Sequence, residues 1–296
     1  TVKDEEQAIL TFLKSIERQT RRPDLTVITV AESTDSTHHL VRRFGSDTSL
    51  RFRWFRTEGN RSVGRNDAIL HACSELGTKD FIVACTNVSV LNPTWLEHIV
   101  APIESGYADV VGGQFHIPAV TDHERAMALL TQYSIEQIRE LRFVSALSMA
   151  FTVRAWSTVG GFPESLVTSE DTEFVCALRA ANLRFSYAWN ATTAWRPPTM
   201  TLRGAAKTYY RFAVTDGKAH LLEKQYDVTF LAYILSGILM LATPLLGLSY
   251  LLGWLVFRVR KVIIAGLLRQ IPLAMMTAFG MDVARMVGYA LGRLRR

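Results

Sequence analysis

The sequence predicts an α/β fold, a mostly parallel sheet with helices on both faces, followed by membrane-embedded helices at the C-terminal end. Three observations carry this expectation. Short β-branched runs alternate with helical stripes through the first hundred residues. The connections between them are short, as in a parallel sheet covered by helices on both faces. Residues 230–257 then give 28 positions without a charge. A helix of that length covers ~42 Å, more than a bilayer's hydrocarbon core of ~30 Å.

The elements follow in order. Ile9, Phe12, Leu13 and Ile16 form a helical stripe that ends at Arg22-Pro23-Asp24. Residues 25–30 read as a buried strand. Ser33-Thr34-Asp35-Ser36-Thr37 caps a helix whose inner face is Leu40, Val41 and Phe44. Residues 50–55 alternate like a strand, 58–64 form a glycine-bearing loop, 65–76 a helix and 81–85 a third strand. Ligands of such sheets lie beyond the C-terminal strand ends. The loops to search are therefore 31–35, 58–66 and 86–89. Further on come a short helix at 95–103, a strand with a glycine break at 109–115 and a long helix at 123–141. An apolar segment at 145–153 reads as a strand or a short buried piece. Strand material spans 184–195 until Pro197-Pro198, and a helix rich in Tyr, Arg and Lys spans 202–222.

Pro244 and Gly247 sit near the middle of the charge-free run. A single crossing would place Arg258, Arg260, Lys261 and Arg269 on the far side, against the positive-inside tendency. A helical hairpin turning at 244–247 is the preferred expectation, with both ends cytosolic and arms of about 14–16 residues, short of the ~20 that a full span needs. Residues 262–279 would form a second span or an interfacial helix. Residues 282–296 are amphipathic and basic and would lie on the anionic leaflet.

Net charge is +6, but residues 258–296 hold eight Lys/Arg and one Asp, a balance of +7 that leaves −1 for residues 1–257. The basic character belongs to the tail and is no nucleic-acid footprint. Three widely spaced cysteines, Cys73, Cys85 and Cys176, suggest neither a disulfide framework nor a metal knuckle.

Gly160-Gly161-Phe162-Pro163 is a tight turn that leads to two adjacent carboxylates, Glu170 and Asp171, at the start of a helix carrying Phe174, Val175 and Leu178. Ser169 stands at the N-cap position, and acids suit the positive end of a helix. On their own the two acids read as a capped first turn.

Several segments together resemble one family. Glu5-Glu6 and Phe12-Leu13-Lys14-Ser15-Ile16, with Gln19-Thr20 and Pro23, resemble the opening helix of the inverting family 2 glycosyltransferases. Ser33-Thr34-Asp35-Ser36-Thr37 is similar to their nucleotide-binding turn, and Gly64-Arg65-Asn66-Asp67-Ala68-Ile69 to their Gly-Arg-Asn segment. Thr86-Asn87-Val88-Ser89, with Trp95-Leu96, falls where they carry a metal-binding Asp motif. Gly160-Gly161-Phe162-Pro163-Glu164 with Glu170-Asp171 resembles their acceptor-side Glu-Asp motif. Tyr209-Tyr210-Arg211-Phe212 with Asp216-Gly217 is similar to a segment of membrane-bound members. The resemblance covers residues 1–222 and implies a GT-A-like fold. The family's fold starts with a strand before the position of Thr1, so a fragment lacking that strand is expected.

The resemblance also implies the chemistry: displacement at a sugar carbon activated by a nucleoside diphosphate, with inversion. Asp171 matches the family's base, and Glu170 stands beside it. Glu32, Asp35, Arg65, Asn66, Asn87, Ser89 and Arg211 fall at donor-binding positions. Mg²⁺ or Mn²⁺ would be the metal, but Asn87 and Ser89 occupy its motif, and an amide and a hydroxyl ligate hard cations more poorly than carboxylates. At the nucleotide turn, Ala31 stands where an Asp is usual, and Glu32 follows it. The expected organisation is a nucleotide-sugar half at 1–115, an acceptor half at 116–225 and a membrane hairpin with a basic tail at 226–296. The expected partners are a nucleotide-sugar, a lipid-linked or surface-glycan acceptor and the cell membrane, with the catalytic domain in the cytosol. Asn87 and Ser89 motivate a second reading, a weak or inactive member that binds nucleotide or a partner at the membrane. A membrane-anchored nucleotidyltransferase lacks support, since no glycine-rich phosphate signature opens the chain.

Overall fold

The computed structural model describes residues 1–132, 138, 144–197 and 201–294. The chain forms two compact units, Thr1–His116 with Ile135–Arg196, and Ile117–Ser134 with Pro197–Arg296. This differs from the sequential division at residues 115 and 225. Residues 117–134 group with the C-terminal helices because Ala126, Leu129 and Leu130 pack with Val259, Val262 and Ala274.

In the first unit, α1 (Ile9–Glu17) buries Ile9, Phe12 and Leu13. β1 (Thr26–Val30) and β2 (Phe52–Arg56) pair in parallel, Thr26 opposite Phe52. Val2 adds a parallel bridge to Val30. Between these strands in sequence, α2 (Thr37–Asp47) buries Val41 and Phe44. The next helix, α3 (Arg61–Leu76), starts at Arg61 rather than at Arg65. Asn60 is the reason: its side-chain oxygen accepts from the amides of Ser62 and Val63, at 2.9 and 3.2 Å, and so caps the first turn.

A second sheet holds β3 (Ile82–Cys85), β4 (Val90–Leu91), β5 (Val110–His116), β6 (Met149–Thr152) and β7 (Phe185–Ala194), in the spatial order β3-β6-β5-β7-β4. β5 and β7 are parallel, but β6 runs antiparallel to both β3 and β5, and β4 antiparallel to β7. The sheet is mixed, which corrects the mostly parallel expectation. Cys85, at the end of β3, faces Met149, at the start of β6. The approach to β6 therefore lies at the same edge as the loop that leaves β3. The ambiguous segment 145–153 is thus a turn at 145–148 followed by the strand β6, which the short helix α6 (Val153–Thr158) continues. Two cores result. One joins α1, α2, β1, β2 and α4 (Trp95–Glu104). The other gathers Ile69, Phe151, Phe162 and Phe174, with Phe162 stacked on Phe174 at 4.1 Å between centroids.

In the second unit, α5 (Asp122–Thr131) begins with a Thr121–Glu124 capping box. The rest of the predicted 123–141 helix lies largely outside the described residues, as does Pro198. The stretch 202–222 holds α8 (Leu202–Lys218), which follows α7 (Glu170–Ala180), the helix of the Glu-Asp motif in the first unit. The charge-free run falls on α9 (Glu223–Ala242) and α10 (Pro244–Ile264), which meet at Thr243 with Pro244 opening α10. They pack as a hairpin. Ser236 Oγ donates to the Gly247 carbonyl at 3.1 Å, and a Cβ on Gly247 would come within 2.5 Å of the Met240 backbone. The arms have 20 and 21 residues, longer than expected because the charged ends stay helical. Among the described residues, α9 is the one helix long and apolar enough to cross a membrane, with a mean hydropathy of 1.4.

The single helix expected at 262–279 is interrupted by Gly266, at φ +72°, and by a 3₁₀ turn at Leu268–Gln270. α11 (Ile271–Leu294) then runs on. Its second half is no free amphipathic tail. Gly288 and Gly292 pack against the backbone of Tyr210 and Val214 on α8, a close approach that small residues four apart permit. Asp282 is wholly buried and accepts from Arg258 Nε and Trp254 Nε1, both at 3.1 Å.

Candidate active site

The site is built where the loops leaving β2 and β3 meet the segment that leads into α7 (Glu170–Ala180). α3 and its N-cap supply three anchors. Asn60 Nδ2 donates to the carbonyls of Glu164 and Leu166, at 2.6 and 3.0 Å. Arg65 Nη1 donates to Glu170 Oε1 at 2.7 Å, and Nη2 to Asn87 Oδ1 at 2.9 Å. Asn66 Nδ2 donates to the Phe162 carbonyl and to Glu164 Oε1, while its Oδ1 accepts from the Phe162 amide and from Trp156 Nε1. Those four bonds fill the donor and main acceptor capacity of an amide side chain. Asn66, expected to contact a donor, is thus bonded to the Gly-Gly-Phe-Pro turn.

The turn has physical reasons for its residues. Phe162 is 2% exposed and fixes the turn in the core. Gly160 and Gly161 adopt φ of +78° and +89°, and a Cβ on Gly161 would lie 2.9 Å from Asn66 Oδ1. A cavity of about 280 Å³ borders the turn, walled also by Glu173 and Ala177. Arg65, Asn87 and Asp171 are not among its walls.

Arg65 and Glu170 form a buried ion pair, with side chains 7% and 4% exposed. Burial works against the Arg65 charge, but attraction from Cys85, Glu170 and Asp171 and the hydrogen bond it donates to Glu170 prevail and hold the guanidinium above its ordinary pKa. The guanidinium also lies 5.2 Å from the Phe162 ring centroid. Glu170 is therefore not a bare charge beside Asp171.

Asp171 is half-buried at the start of α7. Its Oδ2 accepts from Ser145 Oγ and from the Ala146 amide, both at 3.0 Å. Its Oδ1 accepts from the adjacent Thr172 amide at 2.9 Å. Ser169 occupies the N-cap position at φ +57° but makes no side-chain cap bond, so the expected hydroxyl cap is absent there. Sequence reasoning passed over Ser145. The signal that finds it is the antiparallel direction of β6, which carries residues 145–148 to the edge where β3 ends.

The remaining expected donor residues are spread over the two units. Asp35 Oδ1 accepts from the Thr37 amide and Oδ2 from the Glu6 amide, both at 3.0 Å. Burial opposes its charge, but these hydrogen bonds prevail and hold its carboxyl below the usual value. Glu32 is exposed. Ser89 is buried, its hydroxyl bonded to Thr86 Oγ1 at 2.9 Å. Arg211 is exposed on α8 of the second unit.

The metal position does not fit a divalent cation. Asn87 Oδ1 already accepts from a guanidinium, whose charge repels a cation, and the Ser89 hydroxyl is tied within its own turn. Among the described residues no cluster of three His, Cys, Asp or Glu side chains suits a metal.

The family described as "Glycosyl transferase family 2" matches residues 1–157. Comparison with curated proteins gives no match. Solved structures share the fold at low identity. The mannosyltransferase PcManGT from Pyrobaculum calidifontis, in complex with GDP-Man and Mn²⁺, is 15% identical at a TM-score of 0.57, covering 99% of this chain and 85% of that one. TarS of S. aureus is 18% identical at a TM-score of 0.50, covering 99% of this chain and 53% of that one, so the present chain spans about half its length. A TarS 1-349 structure in complex with UDP-GlcNAc is 17% identical at a TM-score of 0.51, covering 99% and 90%. The shared architecture is the GT-A glycosyltransferase fold.

Proposed function

The chain belongs to glycosyl transferase family 2, and on that premise we propose a membrane-anchored enzyme that moves a sugar from a nucleotide-sugar to a lipid-linked or surface-glycan acceptor, with inversion. Asp171 is the base. In the reaction, Asp171 Oδ1 takes the proton of an acceptor hydroxyl. The hydroxyl oxygen bonds to the anomeric carbon, and the bond to the nucleoside diphosphate breaks on the opposite face. The diphosphate leaves with the electron pair.

The observation that carries this reading is the way Asp171 is held. One oxygen is fixed by two donors from the approach to β6, and the neighbouring carboxylate is already taken by Arg65. A general base needs such a fixed geometry before its proton affinity matters. Low-identity neighbours bound to UDP-GlcNAc and GDP-Man support a nucleotide-sugar donor. Arg65 and Asn87 are joined by a hydrogen bond where the chain leaves β3, and Glu32, Asp35 and Ser89 are further donor-side residues of the same unit. The family's Mg²⁺ or Mn²⁺ enters no step, since Asn87 and Ser89 do not fit it.

The anchor rests on the α9–α10 hairpin. Its tip exposes Leu241 and Leu245, at 91% and 76%. Its charges, Glu223, Lys224 and Asp227 on one arm and Arg258, Arg260 and Lys261 on the other, lie at the end away from that tip. The hairpin thus enters from one face, and its basic root suits the cytosolic side of the cell membrane. A second reading, a weak or inactive member that binds nucleotide or a partner at the membrane, is favoured by one observation: Glu170 neutralises the buried Arg65.

The test measures nucleoside diphosphate release from UDP-GlcNAc, GDP-Man and related donors by the full chain in liposomes, with and without EDTA. Asp171→Asn lowers turnover by about 10²–10⁴-fold if Asp171 is the base. Retained turnover removes that assignment, and no release from any donor selects the second reading.

A further inference from the structure

We propose that Ser145 is the positioning residue of the base, fixing Asp171 by one oxygen so that the other receives the acceptor proton. The inference rests on Asp171 being that base. Ser145 Oγ donates to Asp171 Oδ2 at 3.0 Å, and the Ala146 amide donates to the same oxygen at 3.0 Å. Both donors precede β6, and Asp171 stands 26 residues beyond Ser145 on another element. The contact is therefore tertiary and not part of a local turn.

The two oxygens of Asp171 are held differently. Among the described residues, Oδ2 carries two donors, whereas Oδ1 has the amide of the next residue alone. A carboxylate oxygen with two donors has its lone pairs occupied, so the proton goes to the other oxygen. The Ser145 hydroxyl is itself held by the Leu147 amide, which donates to it at 3.3 Å. That bond orients its hydrogen toward Asp171.

The segment is anchored to the sheet as well. Thr86 Oγ1 and Thr193 Oγ1 both donate to the Leu147 carbonyl, at 3.0 and 3.2 Å. Ser148 Oγ accepts from Trp95 Nε1 and donates to the Ala191 carbonyl. Residues 145–148 are therefore a rigid shelf joined to the loop that leaves β3. Asp171 is set against a fixed part of the fold and not against a loop of its own.

The experiment follows nucleoside diphosphate release from UDP-GlcNAc, GDP-Man and related donors by the full chain in liposomes. Ser145→Ala removes one of the two bonds that fix Asp171 Oδ2 and lowers kcat by about 10-fold, with the donor KM held within about twofold. Ser145→Thr keeps the hydroxyl and restores kcat. A folded Ser145→Ala with the wild-type kcat overturns the proposal. If Ser145→Ala fails to fold, a Ser145→Thr whose kcat is lowered about 10-fold overturns it, and one at the wild-type kcat upholds it. Asp171→Asn separates the two ideas: retained turnover sinks the base assignment, whereas lost turnover beside an unaffected Ser145→Ala sinks the positioning role alone.

Discussion

Removing the carboxylate of Glu170 isolates a buried cation. In Glu170→Ala, Arg65 loses its 2.7 Å partner and keeps, among the described residues, the neutral Asn87 oxygen at 2.9 Å, the Phe162 ring and the attraction of Asp171, to which no hydrogen bond joins it. At 7% exposure its side chain cannot reach water without displacing the turn. Breaking one half of a buried pair costs about 3–5 kcal/mol. For a unit of this size that lowers the melting midpoint by about 6–20 °C. Replacing both partners by apolar groups, Arg65→Met with Glu170→Leu, recovers most of the loss, because no unpaired charge remains. Thermal unfolding followed by tryptophan fluorescence in detergent reads both variants. The reasoning is refuted if Glu170→Ala melts with the wild type, or if the double variant melts as low as the sum of the two single losses.

Two further outcomes concern the turn and the sheet. Gly161→Ala destabilises by about 1–3 kcal/mol through its positive φ and displaces Asn66 besides. Gly160→Ala, with nothing within 4 Å of its added carbon, costs less, and denaturant midpoints compare the two. Arg184 donates from its side chain and its backbone amide to Asp109 and holds that carboxyl below the usual range. A depressed carboxyl stabilises the fold above its unfolded value of about 3.9, and the effect is lost as pH falls through the lower folded value. Asp109→Asn is therefore less stable than wild type near neutral pH. The gap stays within about 1 kcal/mol because Arg184 is exposed, and it closes at acidic pH in urea titrations.

Much of the fold was legible because its signals are local. The stripe Ile9, Phe12, Leu13 and the strand 25–30 read directly from periodicity, and Pro244 marked the hairpin turn. Strand direction has no such signal. Residues 145–153 are apolar whichever way they run, and only pairing with Cys85 and Val110 makes β6 antiparallel. That one reversal hid Ser145. Helix ends were also misread where charge was taken as a boundary. Glu223 and Arg258 lie within helices whose hydrogen bonding does not depend on side-chain charge. Ser169 carries a good capping residue type, but its backbone geometry leaves the hydroxyl unused for capping. Of the site, Glu170-Asp171 could be placed from sequence order. That Arg65 would bond Glu170 could not, because the two are 105 residues apart.

Asn60, Arg65 and Asn66, on one helix and its cap, grip the chain between Phe162 and Glu170 by side-chain bonds to both backbone and carboxylates. The two segments behave as one heritable block. A chimera that takes its first hundred residues from one parent and the rest from another would join half of each grip to a stranger. Crossovers that carry 60–66 and 160–171 together keep the lattice of contacts whole. Recombination libraries scored for folded, soluble product should recover parents at these two segments in matched pairs, even where every position between them is free to mix.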